Sequence, residues 1–332
     1  MSQAQSNTVV LSVSSSPHVR SSESTARIMW SVFVCLIPSG IVSWNVFGIS
    51  AAAIMLTAVG TAALTEALFC RLQSRPLTVG DGSACLTGLL LAYNLPAQAP
   101  LWLAALGAAV AIIFGKAVFG GLGGNIFNPA LVGRVFLMAS FPSLMTRWPA
   151  PPMFGLDAVT APTPLAILKD SVQQTQIITA AEIIPYTLWD LFLGRRGGCI
   201  GEASVAALLA GAAVLLWRGS ISWHIPASFI GTVAVVSWCF GGQGLFTGNW
   251  PVHVLAGGLT LGAFFMATDY VTAPLTKKGK CIFGVGCGLI TAIIRLWGGY
   301  PEGVSYAILL MNAAVPLIDR YVVPRRFGGG GR

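Results

Sequence analysis

Long apolar runs separated by short polar stretches make up most of this chain, and their lengths predict helices that cross a bilayer. Runs over about 28–48, 49–69 and 101–121 each approach the roughly 20 residues that span the hydrocarbon core. A shorter stretch from Asp81 to Pro96 is polar at both ends and stops at a proline, so it predicts a tilted or broken helix. The glycine-rich segment from Gly121 to Arg134 reads as unwound and opens a fifth helix over about 129–141. A polar loop over 142–199 follows, with a short amphipathic piece from Tyr186 to Gly194. Apolar runs then recur over about 200–217, 222–242, 252–268, 279–298 and 303–318, the third again short and ending in Thr268 and Asp269. Both halves therefore read long, long, short, long, short. Because each half has an odd number of crossings, such a repeat is inverted in the membrane.

The pattern predicts an all-α integral membrane protein with about ten transmembrane helices, arranged as two five-helix inverted repeats over 28–141 and 200–318. A tail over 1–27, the loop over 142–199 and a tail over 319–332 complete the chain. Composition agrees. Hydrophobic residues make up 55% and charged residues only 9%, against about 25% charged in soluble domains, and the mean hydropathy is +0.76. The 39 glycines fit closely approaching membrane helices. The tail before Arg27 is Ser-rich and lacks a basic region leading into a short apolar core, so the first helix itself is expected to direct insertion.

A net charge of +8 raises the question of nucleic acid, but the basic residues stand singly or in short groups at the ends of apolar runs, which is a topology pattern and excludes that partner. With ten spans both termini share one side. That side collects Arg20, Arg27, Arg71, Arg75, Lys116, Arg218, Lys277, Lys278, Lys280, Arg320, Arg325, Arg326 and Arg332, thirteen of the 19 basic residues. The other side receives Arg147, Lys169, Arg195, Arg196 and Arg295. The termini are therefore expected in the cytoplasm and the central loop outside. Seven scattered cysteines form no C-x-x-C pair and read as small core residues, and His18, His224 and His253 are too dispersed to suggest a metal site.

Three groups of residues carry candidate chemistry. In the loop, Asp157 is followed by hydroxyls at Thr160 and Thr163, with Pro162 and Pro164 holding the backbone extended. That arrangement predicts Thr163 as an exposed nucleophile suited to covalent modification; an ordinary Thr/Pro-rich turn is the plainer reading. Asn125 and Asn128, after a run of glycines, would bring amide groups to a cavity between helices and suit a neutral hydrogen-bonding heterocycle. Helix capping at Asn128-Pro129 is the local alternative. Arg134, Glu66, Asp81 and Asp269 stand at or near membrane depth, where a lone charge is costly. Arg134 is expected to pair with one of those carboxylates, or to hold a phosphate or the N1–C2=O edge of a flavin. Trp44, Trp189, Trp250, Trp297 and Tyr300 read as interfacial anchors.

Several segments together resemble one family. Ser16-Pro-His-Val-Arg20, Asp81-Gly-Ser-Ala, Asn125-Ile-Phe-Asn-Pro-Ala-Leu-Val-Gly-Arg134, Gly262-Ala-Phe-Phe-Met-Ala-Thr-Asp269, Arg295-Leu-Trp-Gly-Gly-Tyr-Pro-Glu-Gly303, Leu309-Leu-Met-Asn-Ala313 and Pro316-Leu-Ile-Asp-Arg320 are similar to the RnfD family of Rnf electron transport complexes. A more distant likeness is to the NqrB proteins of the sodium-pumping NADH:quinone reductase. The resemblance implies a urea-transporter-like inverted repeat in the bacterial inner membrane, with FMN joined by a phosphoester to a threonine on the periplasmic face. A flavin transferase attaches it at a motif of the form D-x-x-[ST]-x-A-T. Asp157, Thr160 and Thr163 match that motif, which implies Thr163 as the attachment site, while Pro162 stands where the family usually has alanine. The resemblance also implies a second, non-covalent riboflavin beside Asn125 and Asn128. The expected partners are the other Rnf subunits, the transferase and membrane lipid.

The function so implied is electron relay between ferredoxin and NAD with coupled Na+ or H+ movement, performed by a subunit that is not catalytic alone. No residues are arranged as a general acid or base for breaking a substrate bond. The inverted repeat alone also permits a channel or facilitator for a small neutral solute, and a purely structural role in assembly is the third reading.

Overall fold

A computed structural model describes residues 23–148, 163–173, 187–194, 197–242, 244–300 and 302–323. These residues are helical almost throughout. No strand occurs among them, and only an isolated antiparallel bridge joins Pro96 to Cys199. A helix or a set of helices stands at each position where an apolar run predicted one.

The first helix, Thr25–Phe47, starts where Ser24 accepts a hydrogen bond from Arg27 N at 3.2 Å. The second, Ile49–Leu72, shows how the chain meets lipid. Its small residues Ala51, Ala58 and Ala62 are fully buried, whereas Leu56 and Leu64 are 75% and 61% exposed. Small residues inside let helices approach and large apolar ones outside face the hydrocarbon, the reverse of a water-soluble helix. Thr25–Phe47, Ile49–Leu72 and Lys277–Trp297 are long and apolar enough to span a membrane; Leu101–Ala117, Val205–Trp217 and His224–Phe240 are apolar but shorter.

The segments expected to be short are interrupted, and so is the end of the run over 101–121, which was expected to be a full span. Val79–Asp81 forms a 3-10 turn before the short helix Ser83–Tyr93. The helix Leu101–Ile112 widens into a π turn over Ile113–Ala117, a form often found at functional sites. In the second half the expected span over 252–268 is divided into Trp250–Leu255, Leu259–Leu261 and a π turn over Gly262–Met266. The division falls at Gly257 and Gly258, whose φ angles of +70° and +65° are open to glycine and strained for other residues. The run expected to begin near 200 instead opens with a 3-10 turn at Ile200–Glu202, and its helix is Val205–Trp217.

Packing follows the same order in both halves. Ile49–Leu72 packs on Ser83–Tyr93 and Leu101–Ile112, and Leu101–Ile112 on Pro129–Ser140. His224–Phe240 packs on Trp250–Leu255 and Lys277–Trp297, and Lys277–Trp297 on Val304–Tyr321. The halves join where Thr25–Phe47 meets Val205–Trp217, and Ser43 Oγ donates to Ile200 O at 2.5 Å. The large, fully buried side chains include Tyr93, Phe229 and Phe283. Tyr93 is kept satisfied by a 2.6 Å bond from its hydroxyl to Leu36 O.

Candidate functional site

The loop over 142–199 contains the helix Leu188–Leu193 within the amphipathic piece expected from Tyr186 to Gly194, and also the helices Pro142–Met145 and Pro164–Gln173, which were not expected. Thr187 and Asp190 form a reciprocal capping box on the last of these. Asp157, Thr160 and Pro162 lie outside the described residues, and Thr163 lies within them. Its hydroxyl accepts from Ala166 N at 3.3 Å and its carbonyl accepts from Ile167 N at 3.0 Å, so it caps Pro164–Gln173. Two expectations are corrected here. Pro164 does not extend the chain but opens a helix, because a proline at the first helical position lacks only an N–H that would have had no partner. Nor is Thr163 an exposed hydroxyl: it is 6% exposed, held down by the cap and by the buried Leu165 and Leu168 that follow it.

Asn128 caps Pro129–Ser140, its Oδ1 accepting from Ala130 N at 3.1 Å, so the local reading holds. Its Nδ2 also reaches across to the second half, donating to Met266 O at 3.2 Å in the π turn. Asn125 folds its own loop, accepting from Gly123 N and donating to Phe127 O, each at 3.3 Å. Both asparagines line a small cavity of about 70 Å³ together with Ser83, Thr87, Lys116, Phe264 and Asp269. The cavity is thus mostly apolar, with a small group of polar side chains in its wall.

The charges at membrane depth pair differently from expectation. Glu66 does not meet Arg134; both its oxygens accept from Lys116 Nζ at 2.8 Å, and Thr78 Oγ1 donates to one of them. Lys116 also donates to Ser83 Oγ at 2.6 Å and is 3% exposed, so it is a buried partner and not a surface mark of topology. Asp81 holds the turn into the next helix, accepting from Ser83 N at 2.8 Å and from Ser83 Oγ at 2.5 Å. Asp269 accepts from Thr272 Oγ1 at 3.1 Å within its own turn. Arg134 pairs instead with Glu302, and its other terminal nitrogen donates to Asn94 Oδ1 at 2.5 Å. Cys199 and Glu202 complete this cluster, with Cys199 Sγ, Glu202 and Glu302 offering ligand atoms within 4.8 Å of one another. Four separate segments, two on either side of the central loop, meet there.

Glu302, Cys199 and Lys116 were missed by sequence reasoning. A lone lysine inside the 101–121 run and a glutamate just before the last helix met the same membrane-depth criterion that picked out Glu66. Cys199 gave no such mark, since its neighbours arrive only on folding.

Comparison with known proteins identifies the family. The model of the NQR2, RnfD, RnfE family matches residues 12–328. A component of the proton-translocating ferredoxin:NAD(+) oxidoreductase complex of Clostridium ljungdahlii is 47% identical over 330 residues, covering 99% of each chain. Its counterpart in the Na(+)-translocating complex of Acetobacterium woodii is 48% identical over 325 residues, covering 97% of this chain and 96% of the relative. A component of the ion-translocating oxidoreductase complex of Cronobacter sakazakii is 39% identical over 356 residues, covering 96% of this chain and 99% of the relative. A full-length match of this depth, on a helical scaffold broken where polar groups cluster, places the chain in the NQR2, RnfD, RnfE family.

Proposed function

We propose that this chain is the flavin-carrying membrane subunit of an Rnf-type ferredoxin:NAD oxidoreductase, relaying electrons with coupled translocation of Na+ or H+. The observation that carries the reading is the near full-length likeness to relatives named as components of such complexes. The other subunits of the complex are its partners, and a flavin transferase matures it. Two relatives of almost equal identity to this chain are named for different ions, so likeness to them does not select between Na+ and H+. The recurring packing order of the two halves supports a ten-helix inverted repeat, and the basic residues at the ends of the apolar runs support its orientation in the bacterial inner membrane with both termini cytoplasmic and the flavin loop periplasmic.

In this reading Thr163 holds FMN through a phosphoester. Supporting it, the hydroxyl stands at the first turn of a ten-residue helix, where backbone N–H groups and the helix dipole favour a phosphate. When bound, the flavin supplies electron transfer in single steps, and the protein supplies position and polarity. Because Thr163 is packed away, the transferase must act before the loop settles or on an opened loop. In this reading a second, non-covalent riboflavin lies beside Asn125 and Asn128, whose amides, with Ser83, Lys116 and Asp269, offer it polar atoms.

The test is in-gel fluorescence of denatured protein made with the transferase present. Wild type and Thr163→Ser should fluoresce and Thr163→Ala should be dark. A dark wild-type band, with unmodified Thr163 by mass spectrometry, refutes the proposal.

A further inference from the structure

We infer that the cavity beside the Thr163 helix seats the isoalloxazine ring of the flavin carried on Thr163, with Trp297, His253 and Lys169 as the residues that position and tune it. This rests on the reading that Thr163 bears FMN, and goes beyond it by naming where the ring sits.

The cavity has a volume of about 400 Å³, in the range of cofactor sites. One wall is built from the capped helix itself. Leu165 and Leu168 are one face of its first turns, and Lys169 follows. A ribityl chain leaving Thr163 therefore starts two residues from the cavity lining. The lining also carries Phe240 and Trp297, whose rings lie 6.0 Å apart at 57° and offer apolar faces to a planar heteroaromatic ring.

Polar groups in the wall also point to a ligand. His253 is 6% exposed, and its Nδ1 is buried with no hydrogen-bond partner among the described residues. An unsatisfied buried nitrogen is costly and calls for an explanation. A flavin ring offers both an N–H donor and carbonyl acceptors, so it satisfies either tautomer of the imidazole. Arg295 is buried and pinned by His253 O at 2.5 Å, Ala256 O at 3.2 Å and Gly257 O at 2.9 Å. Lys169 is held by Gly298 O. The described lining thus has two fixed cations and no carboxylate. Fixed positive charge favours the form of a bound ring that carries more negative charge, and so raises its midpoint potential.

The experiment uses full-length chain purified from cells that make the complex and the transferase. Mass spectrometry of the Thr163 peptide first establishes attachment in every sample. Native and denatured flavin fluorescence and the midpoint potential are then compared in Trp297→Leu and Lys169→Gln. Trp297 is 63% exposed and Lys169 half-buried, so both variants are expected to fold. Trp217→Leu, 88% exposed on another helix, is the control. With FMN attached throughout, Trp297→Leu should raise native fluorescence several-fold by removing a stacking quencher, Lys169→Gln should lower the potential, and Trp217→Leu should do neither. Attached flavin whose fluorescence and potential are indifferent to both variants overturns this placement and leaves the Thr163 reading intact. Absence of flavin on wild-type Thr163 overturns both.

Discussion

The Arg134–Glu302 pair gives the sharpest test of how the two halves are held together. Both side chains are buried, at 5% and 7% exposed, and they come from opposite halves of the chain. Removing one partner of a buried pair strands the other and costs about 3–5 kcal/mol. In Glu302→Leu the guanidinium keeps its 2.5 Å bond to Asn94 Oδ1, and Cys199 and Glu202 remain close. That variant should therefore fall at the lower end, about 3 kcal/mol. Arg134→Met strands the carboxylates of Glu302 and Glu202 without their guanidinium and should cost about 4–5 kcal/mol. At roughly 2 °C per kcal/mol for a chain of this size, the melting temperature should drop by about 6 °C and about 8–10 °C. The double variant replaces the pair by apolar side chains of similar volume and should lose less than either single change. Glu302→Gln, which keeps an acceptor, should cost about 1.5–3 kcal/mol. The assay is thermal unfolding of detergent-purified protein followed by intrinsic fluorescence. A double variant that loses the sum of the two single losses would show that the charges do not act as a pair.

The same logic applies to Lys116→Met, which leaves Glu66 with Thr78 and should lower stability by about 3 kcal/mol, largely restored by Glu66→Leu in the same chain; thermal unfolding checks both. Gly88→Ala should cost about 1–3 kcal/mol by the same measurement, since a Cβ there would stand 2.6 Å from Ala58 O and 2.7 Å from Val59 Cα, both backbone atoms that cannot swing aside. Asn128→Ala should cost about 1–2 kcal/mol, and Asn128→Ser, which keeps the cap but not the reach to Met266 O, should recover about half of that loss.

What was legible in the sequence is what depends on local pattern. The apolar runs placed every main helix, because burial in lipid needs about 20 apolar residues whatever they pack against. Polarity at Asp81, Asn94 and Asp269 marked the interrupted segments. Thr163-Pro164 and Thr187-Leu-Trp-Asp190 were readable as helix starts, since the cap bonds run within one turn. The covalent reading of Thr163 passed over that cap, and with it the burial of the hydroxyl.

What only the tertiary structure decided is which residues become neighbours across the chain. Arg134 was singled out as a charge that needs a partner, but its partner lies 168 positions away and nothing local ties the two. Glu66 and Lys116, 50 positions apart, were recognised separately and assigned to different roles. His253 and Arg295 read as a dispersed histidine and a basic residue of the outer side, and became the wall of one cavity when Trp250–Leu255 came beside Lys277–Trp297. The sequence alone determined the solvent, the helices and their breaks, because hydrophobic length and backbone hydrogen bonding act over a few turns. Charge pairs and cavities follow from helix packing, which is settled by contacts between segments that no local period encodes.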